Sequence, residues 1–125
     1  MENNSSTYKI DLTNFRGIQS TSFSGRDQGK DVRIDLNLND IEKKYSHIIV
    51  KIPLGTTSFN PSFFLGLFYE SIKKLGAIDK FRSKFKFEFD ENEQDIIADI
   101  IEENIDEAIE YANESLIDAK KGFRI

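Results

Sequence analysis

One histidine and no cysteine narrow the chemistry open to this chain of 125 residues. Without thiols there is no disulfide, thiolate zinc site or cysteine nucleophile, and a single imidazole, His47, excludes a multi-histidine metal cage. A Ser-His-acid set would have to use His47, which opens an apolar run and reads instead as a strand-edge residue. The carboxylates Glu102, Glu103, Asp106, Glu107 and Glu110 suggest a cation site, yet no turn glycine or loop ligand pattern accompanies them. A solvated helix face explains them better. The expectation is a chain with no catalytic residue, no metal and no cofactor.

Three features bear on anionic or acidic partners. Lys73, Lys74, Lys80, Arg82, Lys84 and Lys86 place six positive charges within fourteen residues, opposed only by Asp79. Neither an aromatic-rich RNA motif nor a recognition-helix pattern goes with them. They are expected to meet an acidic surface of the same chain or of a partner rather than nucleic acid. The segment Ser24-Gly-Arg-Asp-Gln-Gly-Lys30 carries neither Gly-rich phosphate fingerprint, but Arg26 has the forked guanidinium that clamps a carboxylate or phosphate. Ser62 falls at the second position of a helix predicted from Pro61, where free N–H donors and the helix dipole would stabilise a phosphate. Its bland alternative is a plain first-turn polar residue.

The elements that must position these residues fit one domain by length. Eleven Phe and four Tyr supply the apolar area for a core. The net charge of −5 hides a division: residues 1–87 hold 14 Lys/Arg against 9 Asp/Glu, whereas residues 88–118 hold 13 acids and no base. The acidic stretch is thus one contiguous element. Residues 1–7 are polar and expected to be disordered, with neither the basic nor the apolar region of a signal peptide. Residues 8–119 are taken as a single domain, and residues 120–125 as a basic tail. No run approaches the ~20 apolar residues of a membrane span, so a cytoplasmic protein is expected.

Tyr8, Ile10 and Leu12 alternate with polar residues and predict a first strand. Residues 14–29 read as a loop in which Phe15, Ile18 and Phe23 suggest a second strand returning to the first. Both a strand period and a helical one fit residues 30–45, with the helix favoured. His47 to Leu54 is a nearly continuous apolar run of the kind buried on both sheet faces, ended by Pro53. After a loop at 55–60, Asn60-Pro61 starts a helix bearing Phe64, Leu65, Phe68, Ile72 and Leu75, which Gly76 stops. Phe85, Phe87 and Phe89 alternate as a strand. From about Glu93 to Ser115, an isoleucine stripe including Ile96, Ile97, Ile100, Ile101, Ile105 and Ile109 predicts an otherwise acidic helix. Strands alternating with helices predict an α/β fold: a small open mixed sheet of about four strands with helices packed on it.

Two stretches together resemble the STAS-like domain family of unknown function, related in fold to the anti-sigma-factor antagonists. The first runs from Phe23 through Arg26 and Gly29 to Arg33, similar to that family's Arg, Gly three residues later and second Arg. The second is Ile48 to Ile52 followed by Thr57-Ser-Phe-Asn-Pro-Ser62-Phe63 and on to Phe68, which looks like its central strand, Ser-rich turn and helix start. The resemblance covers residues 20–90. It implies a non-enzymatic regulatory or interaction module docking onto a bacterial signalling or defence protein, a histidine-kinase-type ATPase in particular. In the antagonists the turn reads Asp-Ser-Ser-Gly-Leu, the second Ser being phosphorylated. Asn60, Pro61 and Ser62 fall on Asp-Ser-Ser, with Asn in place of Asp and Phe63 in place of Gly.

The expected contact surface is therefore the turn Thr57, Ser58, Phe59, Asn60, Ser62 and Phe63. Phe59 and Phe63 are expected at its rim, with Arg26, Gly29 and Arg33 nearby. The alternative function is a small nucleotide- or anion-binding domain using Arg26 and the helix start at Ser62.

Overall fold

The computed structural model describes residues 6–16 and 21–120, with side chains to residue 117. Its architecture is the expected open α/β arrangement, and within each of its two sheets the described strands run parallel. A three-stranded sheet has the order β1-β3-β5, built from β1 (Thr7–Asp11), β3 (His47–Ile52) and β5 (Phe85–Phe89). A separate pair joins β2 (Ser22–Phe23) to β4 (Ser58–Phe59).

Parallel strands need crossovers, and helices supply them. Between β2 and β3 lie α1 (Arg26–Leu36) and α2 (Leu38–Lys44), so the segment with two competing periods is helical. Asn37 breaks it, in the left-handed conformation at φ 57°, and its N–H closes α1 on the carbonyls of Arg33 and Ile34. Asn tolerates that region better than most residues. Between β4 and β5 lie α3 (Pro61–Leu75), stopped by Gly76 at φ 80°, and α4 (Ile78–Lys84). The acidic helix, α5 (Asp95–Lys120), follows β5.

Several expectations change. β1 begins at Thr7, and the Ser6 carbonyl accepts from the His47 N–H, so two residues of the segment expected to be disordered take part in the described fold. The strand at Phe23 does not return to β1. Leu12–Phe15 form a 3-10 turn capped by Asp11, whose carboxylate accepts the Thr13 N–H at 2.9 Å, and β2 then pairs with β4. The Thr13 hydroxyl and N–H hold the Asp11 carboxyl below the ordinary aspartate range. Ile18, residues 1–5 and the tail from 121 lie outside the described residues. The loops expected at 14–29 and 55–60 contain the first turn of α1 and strand β4.

β3 is buried on one face only. Ile48, Val50 and Ile52 are at most 1% exposed, but Ile49 and Lys51 face a side that Lys9 and Glu88 share while 54% and 44% exposed. The helical layer covers the other side. Its centre is α3, which packs against α1, α4 and α5, and Phe64 and Phe68 there are fully buried. The stripe on α5 is shorter than expected. Ile101, Ile105, Ala108, Ile109, Ala112 and Leu116 are buried, but Ile96 and Ile100 are exposed. At 100° per residue, those two project on the side of the helix opposite Ile105.

Candidate interaction surface

Two strand-to-helix units, β2-α1 and β4-α3, run side by side. The register Ser22 to Ser58 and Phe23 to Phe59 puts both phenylalanines on one face of the short pair and both serines on the other. Phe23, Phe59 and Phe63 close into a triangle with ring centroids 5.2–5.4 Å apart. All three are at most 1% exposed. The expected aromatic rim is therefore absent: Phe59 and Phe63 anchor the turn from beneath. The alternation that sends Ser58 outward sends Phe59 inward, and Phe63 sits in the first turn of α3 on its core side.

Apart from Pro61, what remains outside is polar. Thr57 and Ser62 are exposed, and Ser58 and Asn60 are partly so. Asn60 caps α3, its Oδ1 accepting the Ser62 N–H at 2.8 Å, and Pro61 occupies the first helical position. The turn is fixed on every side. The Thr57 N–H donates to the Thr21 carbonyl at 2.7 Å, and the two threonine hydroxyls lie 2.8 Å apart. The Asn60 N–H donates to the Phe23 carbonyl at 2.8 Å, and the Phe59 N–H to Asn104 Oδ1 of α5 at 3.1 Å. Asn104, not singled out from the sequence, thus satisfies the outer edge of β4. Its only signal was a neutral amide interrupting the acidic run.

The Arg26-Gly29-Arg33 series belongs to a different place, the α1–α3 contact. Gly29 is buried, and a Cβ there would collide with the Phe63 carbonyl oxygen, while one on Gly66 would collide with that of Arg26. The two glycines let the helix backbones touch. Arg26 is exposed and holds its guanidinium 5.9 Å from the centroid of the Tyr69 ring. Tyr69 lies two turns along α3 from Ser62, so Arg26 does not share a site with the helix start. Arg33 is turned inward, 8% exposed. It donates to the Leu67 carbonyl and Ser71 Oγ at 2.8 Å, Asn39 Oδ1 at 2.7 Å and Glu42 Oε2 at 3.3 Å. Ser71 completes the network by donating to Glu42.

The lysine cluster is dispersed in the same way. Lys84 donates to the Glu42 and Tyr45 carbonyls, Lys74 to Asn39, Lys73 pairs with Glu70, and Arg82 pairs with Asp106 on the acidic helix at 2.6 Å. Part of the cluster does meet an acidic surface of its own chain. Glu102, Glu103, Glu107 and Glu110 are exposed, and among the described residues no group of three or more His, Asp or Glu side chains is placed to hold a metal ion. His47 opens β3, its Nδ1 3.2 Å from Ser46 Oγ. Among the described residues no helix is long and apolar enough to cross a membrane. Comparison with protein-family models, curated proteins and solved structures finds no match for this chain.

Proposed function

We propose that the chain is a STAS-like, non-enzymatic regulatory module of the bacterial cytoplasm that docks onto a signalling or defence partner, a histidine-kinase-type ATPase, through the turn from Thr57 to Ser62. One observation carries this reading: apart from the partly exposed Pro61, the turn presents polar side chains outward, while Asn60, Thr21, Asn104 and the buried Phe23-Phe59-Phe63 triangle hold its backbone in place. A preformed polar ridge binds without the entropy cost of ordering a loop. The order central strand, Ser-containing turn and Phe-rich helix agrees with the resemblance in sequence. The anion-binding alternative loses support from the separation of Arg26 and Ser62.

Coprecipitation of the full chain with purified histidine-kinase-type ATPases of the same genome tests the proposal. Ser62→Glu should weaken the complex roughly tenfold or more at unchanged melting temperature, and Ser62→Ala far less. An unpaired carboxylate desolvated at an interface costs about 1–3 kcal/mol, more than the 0.3–1 kcal/mol the helix dipole returns. A partner that binds Ser62→Glu like wild type would overturn this surface. Calorimetric binding of ATP or GTP by the chain alone, with no ATPase bound, would favour the alternative.

A further inference from the structure

We propose that β5 is a self-complementary edge through which two copies of this chain pair, antiparallel, about a two-fold axis at Phe87. The strand ends the order β1-β3-β5, so among the described residues no strand lies along its outer side. The free N–H and C=O groups of such an edge are a template for another strand. The surface is distinct from the turn at Thr57 to Ser62, and the inference stands apart from the proposed function.

The occupant follows from the order of charges. β5 reads Phe85-Lys86-Phe87-Glu88-Phe89, with the phenylalanines on the covered face and the two charges on the open one. In an antiparallel pair centred on Phe87, Lys86 of each copy stands opposite Glu88 of the other, giving two attractive cross-strand pairs by symmetry. Phe85 stands opposite Phe89 on the covered side. Within Phe85–Phe89, centring on Lys86 or on Glu88 instead sets like charges face to face and leaves no attractive pair, so the charges of the strand itself select one register. Lys86 is exposed and makes no ion pair among the described residues, and Glu88, though 2.9 Å from Lys9, keeps 44% of its side chain in solvent.

The covered side has room for the partner. Phe87 and Phe89 are only partly buried, and a groove of about 350 Å³ runs between β5 and α5, lined by Phe85, Phe87 and Ile105 together with the charged Arg82, Lys86, Glu102 and Asp106. Rings from the second copy would cover its apolar part, at Phe85 and Phe87. The contact is isologous, so it closes at two copies and produces one continuous six-stranded sheet.

Sedimentation of the full chain over a dilution series tests the pairing. Wild type should dimerise. Lys86→Glu or Glu88→Lys alone turns two attractions into two repulsions and should raise the dissociation constant roughly tenfold or more. Mixed together, the two variants should associate at least as well as wild type, because every cross-strand pair is then attractive. Both positions face solvent, so circular dichroism should be unchanged. A wild type that stays monomeric throughout, as it would if the edge served an extended segment of another protein, overturns the proposal. So does a dimer indifferent to Lys86→Glu, or a mixture that does not associate.

Discussion

Arg33 shows how a residue suited to binding is spent on the interior instead. Its guanidinium reaches Leu67, Ser71, Asn39 and Glu42, so three helices share one charge, and Ser71 is fully buried beside it. An exposed pair would contribute little, but here removing the guanidinium leaves the Glu42 carboxylate without its counter-charge and the Ser71 hydroxyl without a donor, where the Arg33 and Glu42 side chains are each only 9% exposed. Arg33→Ala is expected to cost about 3–5 kcal/mol in a urea melt. Much of that loss should return in Arg33→Met/Glu42→Leu, because the penalty arises from the stranded partner rather than from the absence of an attraction. A single variant within 1 kcal/mol of wild type would show that the network is hydrated. Arg26, seven residues earlier on α1, has no such partners among the described residues and stays at the surface over Tyr69.

Among the elements, the α1–α3 pair is governed by its two glycines. A glycine inside a helix ordinarily costs about 1 kcal/mol relative to alanine, so Gly66→Ala would stabilise an isolated α3. In the folded chain its Cβ would press on the Arg26 carbonyl, a backbone atom that cannot rotate away. The helices must then separate, pulling at the Arg33 network one turn further along. The expected net change is a loss of roughly 1–3 kcal/mol, read from the midpoint of thermal unfolding. A gain in stability would mean that the helices pass farther apart than described. The sign of the change distinguishes the local preference of the helix from its tertiary contact.

At the scale of the whole molecule, phenylalanine joins the layers. Phe68 of α3 lies 5.4–5.7 Å, centroid to centroid, from Phe81 of α4 and from Phe85 and Phe87 of β5. Phe64 links the same group to Phe59 of the short strand pair. Since only one face of the three-stranded sheet is covered, this aromatic layer joins that face to the helices. Phe68→Ala should therefore cost about 3–5 kcal/mol in denaturant, the usual loss for a fully buried ring. A cost below 1 kcal/mol would place the main contact elsewhere.

The sequence by itself determined the features that act over a few residues: the Asn60-Pro61 helix start, the stop at Gly76, the end of β3 before Pro53, the period-two run at Phe85 to Phe89 and the acidic helix. Caps, prolines and side-chain periods work through immediate neighbours, so they are legible without a fold. The tertiary structure alone decided that Phe59 and Phe63 point inward, that Arg33 is interior while Arg26 is not, and that Ile96 and Ile100 fall outside the core. It also decided that two-residue strands exist at Ser22 and Ser58. Strands that short carry no detectable period and persist because a partner strand and Asn104 satisfy their backbone groups. Whether an apolar or charged side chain faces inward depends on what distant segments bring against it, and no spacing along the chain encodes that distance.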